Sequence, residues 1–242
     1  MSWEEQSYEY RIINDPFIRG KVSEYLTQFL TEQRLDRLGE VLNNRTRHLT
    51  VVVEDLFQSQ NISAVFRTCE CYGVQDVHVI ENNYECQVHS AISMGADKWL
   101  TIHRYQEEQD SIVRCVKNLK REGYVLVATM PGENSCFLED LPVEPKTAFL
   151  FGTELKGLSD ELVALADRKV KIPMYGFTES FNISNSVAII LSHFAEKMRK
   201  SAVDWKLPED ERNELYSEWL QKSIKKPLLL IDKFLSDNNL VD

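Results

Sequence analysis

Between Thr147 and Met198 the chain carries two strand–loop–helix units back to back, TAFLFGTELKGLSDELVALADRKVKIPMYGFTESFNISNSVAIILSHFAEKM, and no other stretch constrains the fold as much. The first strand, Thr147 to Phe151, is a short apolar run that stops at Gly152. Gly152-Thr153-Glu154 and Lys156-Gly157 make the loop after it. Ser159 is placed to cap the next helix, with Asp160 and Glu161 in its first turn. The second strand, Val170 to Ile172, ends at Pro173. A polar loop, Gly176 to Asn182, then leads into a helix whose Ile183, Val187, Ile190, Leu191, Phe194 and Met198 recur at the helical period. Two such loops, at the carboxyl ends of strands expected to be neighbours, are where an open α/β sheet holds a ligand.

The remainder of the chain fits the same class. Strand-like runs at Leu49–Val53, Val77–Ile80, Trp99–Ile102 and Tyr124–Ala128 alternate with helices over about Asn61–Tyr72, closed by Gly73, and about Glu107–Glu122, closed by Gly123. Alternation of this kind predicts a parallel sheet with helices on both faces. Residues 81–98 read as irregular with at most one short helix, and 129–144 as a loop. Ahead of the sheet, Asp15-Pro16 opens a helix to about Leu30, and Thr31 starts another with Leu35, Leu38, Val41 and Leu42 on one face. Behind it, Pro208 opens an acidic helix with Leu215, Trp219 and Leu220 as its apolar face, and Pro227 to Phe234 is a second apolar segment. The expected division is an N-terminal helical extension, 1–48, an α/β body, 49–200, and a C-terminal helical tail, 201–242.

Composition removes several functions. No run of 18 apolar residues exists to span a membrane, and MSWEEQSYEY has no apolar signal core, so a cytoplasmic protein is expected. Cys69, Cys71, Cys86, Cys115 and Cys136 form neither a CxxC pair nor a zinc pattern; they read as reduced thiols, with no metal site. A net charge of −10 argues against a general nucleic-acid binder, so any RNA contact must rest on local patches. The densest basic cluster is Arg34, Arg37, Arg45, Arg47 and His48, which reads either as a solvated helix face or as an RNA-contacting one. Lys222, Lys225 and Lys226 are a second, smaller candidate.

Three segments, NISAVFRTCECYGV, FGTELKGLS and IPMYGFTESFNISNSVAIIL, resemble the three motifs of the SpoU–TrmH branch of the SPOUT methyltransferases, in the expected order within one domain. The resemblance implies transfer of a methyl group from S-adenosylmethionine to a ribose 2′-hydroxyl of structured RNA. It also implies a C-terminal trefoil knot and a homodimer whose partner supplies part of the site. RLDRLGEVLNNRTRHLTVVVEDL and ERNELYSEWLQK resemble the N-terminus and tail of the branch's tRNA guanosine-18 enzymes, which favours tRNA, with a D-loop guanosine as target. Ribosomal RNA is the alternative substrate, kept open by the acidic balance and by LFQSQN, where relatives often carry VHKPHN. A non-catalytic RNA-binding assembly factor is the third reading; a nucleotide-dependent oxidoreductase fails because no GxGxxG follows the first strand.

A ribose hydroxyl is a poor nucleophile, so such an enzyme must align oxygen, methyl and sulfur and assist loss of a proton. The resemblance assigns Arg67 as the motif-1 arginine. A guanidinium is effectively always protonated, so a phosphate clamp that steadies the developing alkoxide is physically easier than general-base action. Without the motif, Arg67 would read as a surface ion pair. Asn61 either caps its helix or orients Arg67. Glu154, the motif-2 acid, is either a loop carboxylate in water or an anchor for the motif loops. Ser180, Asn182 and Ser184 match motif 3, where one of the first two could simply cap the following helix. By resemblance, backbone groups of Thr129, Gly152, Ile172 and Phe181 hold the cofactor with Met174 and Gly176 nearby, and Arg34, Arg37, Arg45 and Arg47 contact RNA. Glycine at 152 lets the backbone approach a ligand closely.

Overall fold

The structure, a computed structural model, describes residues 10–83, 85–106, 110–132, 135–153 and 156–240. In chain order its elements are α1 (Pro16–Thr27), α2 (Glu32–Leu42), β1 (Leu49–Glu54), α3 (Ser59–Cys71), β2 (Asp76–Ile80), the single turn α4 (Ser90–Ser93), β3 (Thr101–Tyr105) and α5 (Ser111–Arg121). There follow β4 (Val125–Thr129), β5 (Cys136–Phe137), β6 (Thr147–Phe151), α6 (Asp160–Leu165), β7 (Arg168–Lys171), α7 (Ile183–Lys200), α8 (Glu209–Lys222) and α9 (Pro227–Asp237). They form two compact units, residues 46–205 and residues 1–45 with 206–242.

In the larger unit the seven strands lie in the order β3-β2-β1-β6-β4-β7-β5, with every pairing parallel. β1 and β6 are buried at every position, as expected of central strands covered on both faces. On one face Val52, Leu126 and Leu150 pack under Ile112, Val116 and Leu119 of α5 and Leu162 of α6. Elsewhere in this unit α3 and α7 pack together, and the apolar stripe of α7 is buried from Ile183 to Met198, Phe194 meeting Phe149 edge-on at 5.1 Å.

Sheet order departs from expectation in the place that matters most. β6 and β7 are not neighbours; β4 lies between them, Val127 pairing with Phe149 on one side and Arg168 on the other. Strand ends at β4, β6 and β7 therefore converge where two were expected. The 129–144 loop also contains β5, an edge strand of two residues paired at Cys136–Val170, too short to leave a periodic signal. Residues 96–99 form a 3-10 turn, which delays β3 to Thr101. Helix α3 starts at Ser59, ahead of Asn61. The expected start of α5 near Glu107 lies outside the described residues, and the helix is seen from Ser111.

In the smaller unit Asp15 caps α1 by accepting from the N–H groups of Phe17 and Ile18 at 2.8 and 2.9 Å. Thr31 caps α2 through Arg34 N–H at 3.2 Å. Helix α1 packs on α8 and α9, and α2 on α8, with Trp219 buried and Tyr25 stacked on Phe234 at 4.6 Å. The two chain ends, read as separate extensions in sequence, share this one core, because α8 carries apolar residues that both N-terminal helices need to cover.

The edge of the sheet holds a buried polar cluster with a consequence for pH. His78 Nδ1 lies 3.0 Å from the Tyr105 hydroxyl, its ring stacks on His103 at 4.5 Å, and His103 Nε2 reaches Asp76 at 2.8 Å. Burial, helped by the neighbouring His103, pulls the His78 pKa down to about 3. Burial pushes the Asp76 carboxyl up, but the hydrogen bond from His103 and the charge of Arg47 outweigh it and hold it below its usual range. An unfolded histidine titrates near 6.5, so below that pH the unfolded chain takes up a proton that native His78 refuses. Stability is therefore present above pH 6.5 and lost as pH falls. His78 alone should make unfolding about 2 kcal/mol easier at pH 5 than at pH 7. Denaturant melts at the two pH values test this, and His78→Phe should remove that part of the difference.

Candidate active site

A cleft of about 440 Å³ opens at the carboxyl ends of β4, β6 and β7. Thr129, Met130 and Pro131 leave β4 along one wall, Phe151, Gly152 and Thr153 leave β6 along another, and Val170 of β7 with Ile172 and Met174 just beyond it make up more of the lining. The Thr129 hydroxyl donates to the Leu150 carbonyl at 2.7 Å and so ties the ends of β4 and β6 together.

The loop after β6 is folded tightly back on itself. Thr153 N–H donates to Gly157 O at 3.0 Å and Gly157 N–H to Thr153 O at 2.9 Å, while the Thr153 hydroxyl accepts from Lys156 N–H at 3.1 Å. Gly157 takes a positive φ of 70° to close this turn. A Cβ at position 152 would stand 2.1 Å from the backbone carbon and oxygen of Gly157 and 2.2 Å from Leu158 N. Beyond the turn, Ser159 caps α6 by accepting from Leu162 N–H at 3.2 Å. Ser159 itself donates to the Glu54 carboxylate twice, from its N–H at 2.8 Å and its hydroxyl at 2.6 Å. Glu54 is 3% exposed at the end of β1 and braces the cleft loop from beneath. Sequence reasoning placed it at the start of a loop and missed this role. A lone carboxylate closing an apolar strand was the available signal.

The third side is the N-terminus of α7, where Ser180, Phe181, Ile183 and Ser186 face the cleft. Asn182, and not Ser180, is the cap: its Oδ1 accepts from Ser184 N–H at 2.9 Å and from the Ser184 hydroxyl at 2.6 Å. Its Nδ2 donates to Asn61 Oδ1 at 3.1 Å, and Asn61 Nδ2 donates to Gln58 Oε1 at 3.0 Å. Asn61 therefore does not cap α3. It sits buried in the first turn and bonds across to α7, joining two segments that are 121 residues apart.

The structure thus brings Thr129, Gly152, Ile172, Met174, Ser180 and Phe181 to one cleft, with Asn61, Asn182 and Ser184 bonded behind its α7 wall. Gly176 is not among the lining residues, and Glu154 lies outside the described residues. Arg67 is exposed on α3 and does not line the cleft. The basic set is corrected in part. Arg45 is 1% exposed, with its guanidinium 5.2 Å from the centre of the Trp219 ring, so it has no surface to offer an RNA. Arg47 is drawn to Asp76, 2.7 Å from Nε to Oδ2, at 27% side-chain exposure. Of the remainder, Arg37 is exposed beside Glu40 at 2.8 Å and Arg34 is half-buried on the same helix. Lys222 is also engaged, 2.5 Å from Glu218.

Known proteins match this arrangement over most of its length. Residues 48–192 match the model of the SpoU rRNA Methylase family. The chain is similar to a tRNA (guanosine(18)-2′-O)-methyltransferase of Borreliella burgdorferi, 42% identical over 200 residues that cover 83% of this chain and 90% of that protein. It is also similar to one of Thermus thermophilus, 33% identical over 79% of this chain and 98% of the relative. Among solved structures, a TrmH/SpoU tRNA modifying enzyme of A. aeolicus superposes with a TM-score of 0.71 at 31% identity, over 81% of this chain and 98% of the other. A match over more than half the chain, carried by the strands and loops that build the cleft, makes this protein a member of the SpoU rRNA Methylase family.

Proposed function

We propose that the protein methylates a ribose 2′-hydroxyl in tRNA, at a D-loop guanosine, with S-adenosylmethionine as methyl donor. The single observation that carries this reading is the cleft at three strand ends. At about 440 Å³ it has the size of a small-molecule site. Met130, Phe151, Leu158, Val163 and Val170 offer apolar walls to an adenine, and the Gly152 loop offers backbone groups at close range. When bound, S-adenosylmethionine supplies an electrophilic sulfonium methyl. The protein's own residues then have distinct tasks. Thr129, Gly152, Ile172, Met174 and Phe181 hold the donor, with Gly176 in the adjoining loop. Ser180 and Asn182 shape the wall against which the ribose is aligned, Asn61 fixes Asn182, and Glu154 anchors the loop. Arg67 grips the phosphate beside the target and steadies charge developing on the ribose oxygen.

In chain order, an N-terminal extension, 1–48, precedes a catalytic body, 49–200, and a tail, 201–242, follows it; Arg34 and Arg37 contact the tRNA backbone from α2. The body is tied in a trefoil knot, a reading that rests on family resemblance and suits a chain that must step past β4 between β6 and β7. Two copies pair, and each presents Arg67 to the other's cleft. Support comes from the exposure of Arg67 and from Tyr175 and Phe177, which stand fully exposed in the loop beside the cleft, an uncommon state for large apolar side chains. No helix among the described residues is long and apolar enough to cross a membrane, and a tRNA substrate suits work in the cytoplasm. The experiment is to incubate the protein with labelled donor and unmodified tRNA, with ribosomal RNA fragments in parallel, and map 2′-O-methyl groups. A single D-loop guanosine is expected in tRNA. Labelling confined to the ribosomal fragments, or none at all, would refute this reading.

A further inference from the structure

Gln58 lies in the LFQSQN stretch ahead of the first motif and was given no role above, yet a row of the site's hydrogen bonds reaches it. We propose that Gln58 is a positioning residue, the acceptor that orients the amides behind the methyl-transfer site; this rests on the methylation reading. The direction of each bond is dictated by chemistry. A backbone N–H can only donate, so Asn182 must turn Oδ1 towards Ser184 N–H, 2.9 Å away. Its Nδ2 then faces Asn61 at 3.1 Å, so Asn61 must present Oδ1 there. Asn61 Nδ2 is left facing Gln58, at 3.0 Å, and needs an acceptor. One flipped amide anywhere in this row would set donor against donor.

The row links the first turn of α3 to the first turn of α7. Ile183 and Ser186 of α7 line the cleft, and Arg67 rides farther along α3. Gln58 thus governs the relation between the cleft wall and the helix that bears the proposed phosphate clamp. Asn61 is 7% exposed, so its amide bonds are shielded from bulk water and count for more than surface ones. Gln58 itself is exposed, so replacing it leaves the core untouched.

Two variants separate acceptor from bulk. Gln58→Met keeps the length and removes the acceptor; Gln58→Glu keeps an acceptor in the same place. In steady-state methylation of unmodified tRNA, Gln58→Met should lower kcat about tenfold, the kinetic equivalent of one hydrogen bond, with KM for tRNA unchanged and Tm lowered by no more than about 4 °C. Gln58→Glu should stay within about twofold of the parent. A Gln58→Met enzyme with full kcat, or a Gln58→Glu enzyme as slow as Gln58→Met, would overturn the proposal. If the parent protein methylates no tRNA, the functional reading fails, and the row is judged by a separate measurement. In asparagine-labelled protein, side-chain amide exchange at Asn61 and Asn182 should quicken in Gln58→Met and hold in Gln58→Glu. Unchanged exchange in Gln58→Met would equally refute the positioning role.

Discussion

Gly152→Ala should abolish donor binding, while Gly176→Ala should leave it intact. At position 152 a single methyl group would meet backbone atoms of Gly157 and Leu158 at 2.1 to 2.2 Å, and no rotamer change can relieve a clash with backbone. The loop must open, which breaks the paired Thr153–Gly157 hydrogen bonds and moves the cleft wall that Gly152, Thr153, Gly157 and Leu158 provide. Overpacking of this kind costs about 1 to 3 kcal/mol even where side chains can give way, and here they cannot. Titration with S-adenosylhomocysteine should show affinity reduced by at least about 100-fold, roughly 2.7 kcal/mol. The same methyl at position 176 meets nothing within 4 Å, so that variant should bind within about twofold of the parent. Equal affinities for both variants would show that the donor does not sit against the Gly152 loop.

Arg67→Ala should lower kcat by about 10² to 10³-fold, the usual loss when a donor to a developing oxyanion is removed. Arg67→Lys should recover little of it, because an ammonium lacks the planar fork that grips a phosphate with two bonds. Donor affinity should not change in either variant, since the task proposed for Arg67 is to grip the RNA phosphate and not the donor. The side chain is exposed, so fold stability should move by less than about 0.5 kcal/mol. The route by which Arg67 reaches the reaction is open to a sharper test. Co-expressed Arg67→Ala and Gly152→Ala chains would form mixed dimers in which one cleft is sound and is served by the intact arginine of the other chain. Recovery of activity in the mixture, with neither variant active alone, is the expected result. If the mixture stays inactive, arginine and cleft act within one chain.

Most of the cleft could be read from the residues because its makers are local in sequence. Gly152 ends an apolar strand, Ser159 and Asn182 begin helices, and each announces its turn by composition alone. The lone carboxylate of Glu54 closing an apolar strand was a visible signal, but its partner could not be found this way, since Ser159 lies 105 residues on and nothing near either residue records the other. Arg45 misled for the opposite reason. Its neighbours Arg34, Arg37 and Arg47 make a basic run, but only the packing of α8 beneath it shows that its charge is spent over Trp219. Asn61 stood out in the sequence only through its motif. Its actual bond crosses to Asn182, which composition has no means to express.

Alternation of apolar runs with amphipathic segments was enough to dictate a parallel α/β sheet, its helix caps and the loops that carry the chemistry, because backbone propensity and side-chain periodicity act over a few residues. Neighbour relations in the sheet were beyond that reach. Parallel strands are joined by long crossovers, so any of several orders satisfies the same hydrophobic pattern, and only packing selects one. Insertion of β4 between β6 and β7 is that selection, and it turns a pair of loops into a three-walled cleft.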